Sequence, residues 1–128
     1  MDRVPVFISF DYDQDLDLYN LLLGQSKHAD SPFSVTNWSV TDASPSWVAD
    51  ARARISRVNQ VIVMCGRFTG SAVGIDTELK LTRELKKPYF LLGGRANITN
   101  VKPRTALTTD KIYDWTWPNL KKLISGSR

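Results

Sequence analysis

The run Val61-Ile-Val-Met-Cys65 is the strongest single constraint on how this chain can fold. An alternating strand can face water on one side; a strand that is apolar at every position must be covered on both. That requirement points to a parallel sheet sandwiched between helices. The length of 128 residues is close to the commonest size of one domain with one hydrophobic core. We therefore expect residues 1–128 to form a single domain.

The flanking sequence supplies the other elements. Val4-Pro-Val-Phe-Ile-Ser-Phe10 is a β-branched and aromatic run that ends at a polar loop, and reads as the first strand. The acidic stretch Asp11-Tyr-Asp-Gln-Asp15 follows as a loop. Leu16, Tyr19, Leu22 and Leu23 then recur at helical spacing up to Gly24. Phe33 to Trp38 reads as a half-polar strand nearer an edge. Ser44-Pro45 opens a helix to about Arg57, with serine as N-cap and proline at the first helical position. After the central strand and a loop over Arg67–Gly70, a helix runs to about Lys87, where Pro88 stops it and opens the strand Tyr89-Phe-Leu-Leu92. The polar stretch Asn97–Asp110 reads as surface loop, Ile112-Tyr113 as a short last strand, and Pro118–Ile124 as a last helix. Five strands alternating with helical segments predict a flavodoxin-like, doubly wound, five-stranded parallel sheet in three layers. Its ligand crevice belongs at the carboxyl ends of the strands, where the winding reverses.

Composition removes several function classes. The longest apolar stretches fall far short of the roughly 20 residues a membrane span requires, so no membrane partner is expected. The opening Met-Asp-Arg-Val-Pro lacks signal-peptide character, which predicts a cytoplasmic protein. One cysteine and one histidine offer no internal disulfide and no metal-ligand cluster. The net charge of +4, from 17 basic and 13 acidic residues, is mild and scattered. Without a clustered basic footprint, nucleic acid is not an expected partner.

Three familiar uses of such a scaffold disagree with the loops at the strand ends. A flavodoxin needs a Ser/Thr/Gly-rich phosphate loop after the first strand, where this chain has three acids. A phospho-receiver needs an acceptor aspartate at the end of the third strand, where Met64-Cys65-Gly66 stands. A dinucleotide-binding unit needs G-x-G-x-x-G after its first strand, and none is present. The helix after the third strand carries the one local anomaly. On a helical wheel Ile75, Leu79, Leu81, Thr82 and Leu85 form an apolar arc, and Glu78 falls in its middle. An inward carboxylate is costly to bury unpaired. Either it opens into the crevice, or it lies under the helix edge bonded to backbone amides or an arginine; the pattern leaves both open.

Several segments resemble one family. Val6-Phe-Ile-Ser-Phe10 with its acidic loop is similar to the opening of TIR and TIR-like domains, and Arg54–Gly66 resembles their helix-to-third-strand segment. Thr69-Gly-Ser-Ala72-Val-Gly74-Ile75-Asp-Thr-Glu78-Leu79, followed by Lys86-Lys-Pro-Tyr-Phe-Leu-Leu92, resembles the TIR-like proteins of Thoeris-type antiphage defence. The resemblance spans roughly residues 4–124. It implies cleavage of the nicotinamide–ribose bond of NAD+ and formation of a cyclic or conjugated ADP-ribose signal. NAD+ would be the substrate, with no resident cofactor and no metal. The resemblance implies Glu78 as the catalytic residue and places Phe10, Asp11, Ser44, Trp47 and Thr69 around the substrate. Many relatives carry Ser and Trp where this chain has Ala72 and Gly74, which leaves the product open. The resemblance also implies self-association and a separate effector protein that senses the product.

Other residues receive simpler readings. Asp13, Asp15 and Asp17 complement a helix dipole as acids near an N-terminus do. Trp38, Trp115 and Trp117 are core or interface residues, Cys65 is an inert buried thiol, and His28 is a surface residue. The competing class for the whole chain is a non-catalytic TIR-like adaptor that works through homotypic contacts.

Overall fold

The structure, a computed structural model, describes residues 3–35 and 47–126. Five strands form one sheet: β1 (Val4–Ser9), β2 (Phe33–Val35), β3 (Gln60–Cys65), β4 (Tyr89–Gly93) and β5 (Ile112–Asp114). Their order is β2-β1-β3-β4-β5 and every pairing is parallel. Among the described residues four helices flank them: α1 (Tyr12–Ser26), α2 (Trp47–Ser56), α3 (Val73–Glu84) and α4 (Trp117–Ile124). The chain is thus a doubly wound, flavodoxin-like α/β fold, as the apolar run at Val61–Cys65 demands.

Register fixes which side chains meet. Phe7 lies beside Val61, Ile8 beside Ile62, Val63 beside Leu91 and Met64 beside Leu92. The two-residue pleat therefore sends Val6, Ile8, Ile62, Met64, Phe90 and Leu92 to one face, where α1 and α4 add Leu18, Leu22, Leu120, Leu123 and Ile124. Phe7, Val61, Val63, Cys65 and Leu91 go to the other, under Ala51 and Ile55 of α2 and Ile75, Leu79 and Leu81 of α3. These two apolar layers, one on each side of the sheet, make the three-layer arrangement. All six residues of β3 are buried.

Helix ends show their local causes. Thr116 caps α4 by accepting from Asn119 N–H, and Pro118 sits in the first turn. The helix α3 stops at Glu84, short of Pro88, because Lys86 adopts a left-handed φ of 56°. Lys86 N–H then bonds Arg83 O and Lys87 N–H bonds Thr82 O, a closure that satisfies the last carbonyls. The expected acidic loop is largely helix: Asp11 is the N-cap of α1, accepting from Asp13 N–H, and the helix begins at Tyr12 with a kink at Asp15. The expected extension of β2 to Trp38 and the N-cap at Ser44 lie outside the described residues. Residues 97–110 contain neither helix nor strand, as the polar composition suggests.

Candidate functional site

The winding reverses between β1 and β3, so the ends of these strands define the crevice position of this topology. Period two along β1 turns Ser9 to the same face as Phe7, toward α3. There Ser9 Oγ donates a hydrogen bond of 2.6 Å to Glu78 Oε1. Glu78 is only 6% exposed. It lies one residue from Leu79 on the buried face of α3, as the helical wheel requires. The inward carboxylate is therefore held by a serine hydroxyl at a strand's carboxyl end.

Burial pushes the Glu78 carboxyl up from the ordinary 4.5 to about 7, while the Ser9 hydrogen bond and the positive charge of Arg54 on α2 pull the other way. A carboxylate in this position is divided between its two protonation states near neutral pH. It can accept a proton, bind hydroxyl groups, or stabilise a developing cation. A strongly perturbed acid with a specific partner is a candidate functional group.

The other expected site residues are distributed unevenly. Trp47 is half-buried at the start of α2 and packs against the core layer that contains Ile75 and Leu79, on Glu78's side of the sheet. Thr69 is fully buried in a short 3-10 turn before α3, and its Oγ1 accepts from Gly66 N–H at 2.7 Å. Its hydroxyl oxygen is engaged in framing the loop that launches α3. Phe10 follows Ser9 on the pleat and turns to the opposite face, where its ring stacks on Tyr19 at 4.4 Å. Asp11 caps α1. Ser44 lies outside the described residues.

Two features escaped the sequence reading. Ser9 is the first: a polar residue in an otherwise apolar buried strand was the available signal. Asp15 is the second. It is 2% exposed, and Arg95, beyond β4, donates to its Oδ1 at 3.1 Å and to both oxygens of Asp17 at 2.7 and 2.8 Å. Asp15 Oδ2 has no hydrogen-bond partner among the described residues. Burial raises the Asp15 carboxyl against the lowering effect of Arg95. Its carboxylate stands over Gly66, where an added Cβ would lie 2.5 Å from Oδ2.

Among the described residues, no group of three or more His, Cys, Asp or Glu side chains is placed to hold a metal ion, and no helix is long and apolar enough to cross a membrane. No protein-family model matches the chain, and no curated protein matches it. Among solved structures it is similar to the TIR domain of the Toll-related receptor TRR-2 of Hydra magnipapillata. That likeness has 17% identity, covers 94% of this chain and 98% of the other, and has a TM-score of 0.61. The fold is that of a TIR domain.

Proposed function

We infer that this chain is a TIR-type enzyme that cleaves the nicotinamide–ribose bond of NAD+ and passes the ADP-ribosyl group into a cyclic or conjugated signal for antiphage defence. The observation that carries this reading is Glu78, an inward carboxylate at the crevice position of a TIR fold, held by Ser9 and titrating near neutrality. By the family resemblance, Phe10, Asp11, Ser44, Trp47 and Thr69 are assigned to the substrate's surroundings. Self-association and a separate effector that senses the product complete the proposal.

The chemistry asks little of the protein. Nicotinamide departs with the electron pair of the C–N bond and becomes neutral, so no general acid is needed. The ribosyl group becomes oxocarbenium-like, as in glycoside hydrolysis. Ionised Glu78 favours that developing positive charge through a fixed, water-poor electrostatic contact and holds ribose hydroxyls. Capture by water gives ADP-ribose and a proton; capture by an internal or external nucleophile gives a cyclic or conjugated product.

The test is nicotinamide release from NAD+ by the purified chain beside Glu78→Gln. Loss of this carboxylate is expected to lower the rate about 100-fold or more, by analogy with removal of one transition-state contact. Because the reacting form is ionised, wild-type activity should rise with pH through about 7. Equal, background-level release from both proteins, with cell lysate from phage-infected cells added, would favour the adaptor class. The solved TIR domain it is similar to comes from a receptor, so that class is the natural second reading.

A further inference from the structure

We propose that Ser9 is a positioning residue for Glu78, fixing the carboxylate's orientation and holding it in its ionised form for the reaction inferred above. The inference rests on that functional reading and adds to it a residue outside the set named from the sequence. Ser9 is fully buried at the last position of β1, in register with Val63, on a strand that is otherwise apolar from Val6 to Ile8. An apolar side chain would satisfy packing at such a position. A buried hydroxyl is instead costly unless it is bonded, and its bond goes to Glu78 Oε1 at 2.6 Å. That distance falls in the short range of an O–H donor on an ionised carboxylate.

The surroundings make this hydrogen bond consequential. The helix α3, which carries Glu78, packs on β1, β3 and α2. From β1 comes Ser9; from α2 comes the charge of Arg54; and Cys65 at the end of β3 remains a neutral thiol, its pKa pushed up to about 12. Among the described residues, Ser9 and Arg54 are thus the two influences that favour the anion against burial. Arg54 acts through its charge, and Ser9 also points one oxygen of the carboxylate.

Glu78 and Glu84 are the chain's two glutamates, so selective 13C-carboxyl labelling of glutamate gives two signals, with exposed Glu84 as internal control. Three proteins are compared: wild type, Ser9→Ala and Ser9→Thr, the last keeping the hydroxyl. In Ser9→Ala the Glu78 carboxyl should titrate about one to two pH units higher, the size of a lost hydrogen bond to a charged group. The acid limb of nicotinamide release should move by the same amount, so that activity falls about 8- to 80-fold near pH 6.5 and recovers toward pH 9. Ser9→Thr should restore both midpoints. An unchanged Glu78 titration in Ser9→Ala overturns the proposal. So does a loss of activity by one factor at every pH, which is the signature of damaged packing. If the titration shifts but wild type releases no nicotinamide under any condition, the enzymatic reading falls and takes the positioning role with it, while the Ser9–Glu78 pair survives as a structural contact.

Discussion

A glutamate buried beside the core works against the fold, and the conflict is measurable. Glu78 titrates at about 7 in the folded chain and near the ordinary 4.5 when unfolded. Between those values the folded chain keeps a proton that the unfolded chain has released, so stability must fall as pH rises through that window. The stabilisation is fully present below about 4.5 and lost above about 7, and the shift corresponds to about 3 kcal/mol. Glu78→Gln removes the charge and keeps the shape. Urea unfolding should show the variant more stable than wild type by up to about 3 kcal/mol at pH 8, with the two nearly equal at pH 4.5. A variant less stable than wild type at pH 8 would mean that the ionised carboxylate is well solvated. This is the expected trade at a site where function outranks packing. The inward direction of Glu78 was legible because a helical wheel needs only local spacing. Its partner was not: Ser9 lies 69 residues away in sequence, and nothing in either segment names the other.

Elements read well where local chemistry sets them and poorly where distant contacts do. The apolar run of β3, the Lys-Pro entry to β4 and the apolar arc of α3 all follow from neighbours in sequence. The start of α1 does not. Asp13, Asp15 and Asp17 read alike, as acids that complement the helix dipole, yet Asp15 is buried and Asp17 exposed. The discriminator is Arg95, 80 residues away from Asp15, which ties the first turn of α1 to the loop after β4. The same contact requires glycine at position 66, where any Cβ would meet the Asp15 carboxylate at 2.5 to 2.8 Å. Gly66→Ala is expected to cost about 1–3 kcal/mol, the usual range for overpacking a filled site. In an Asp15→Ala background most of that cost should vanish, giving a coupling above about 1 kcal/mol in a double-mutant cycle. Additive effects would place the strain elsewhere. Arg95→Ala leaves buried Asp15 without its ion pair and should cost about 2 kcal/mol at pH 7, while Asp17→Ala, on the exposed side of the same guanidinium, should cost clearly less.

At the scale of the molecule, the lone cysteine reports on the integrity of the whole sheet. Cys65 ends the central strand, is fully buried, and has its thiol held neutral by burial and by the negative charge of Asp15. Strands β1 and β4 flank β3, and helices cover both of its faces. No small opening of an edge element uncovers the sulfur, so modification needs the cooperative unfolding of the domain. The labelling rate of Cys65 by a thiol reagent, divided by its rate in urea, should therefore equal the unfolding constant from equilibrium denaturation within a factor of about 10. Labelling far faster than that ratio allows would reveal a local opening at the carboxyl end of β3, next to Gly66 and Thr69. The same measurement links the scales. If burying an ionised Glu78 weakens the entire fold, Glu78→Gln should slow Cys65 labelling about 100-fold at pH 8, the factor that about 3 kcal/mol implies, and leave it nearly unchanged at pH 4.5 once thiol ionisation is corrected. A slowing confined to low pH would reverse the assigned sign of the Glu78 shift. No effect at either pH would mean that the carboxylate's burial is relieved locally, without engaging the sheet.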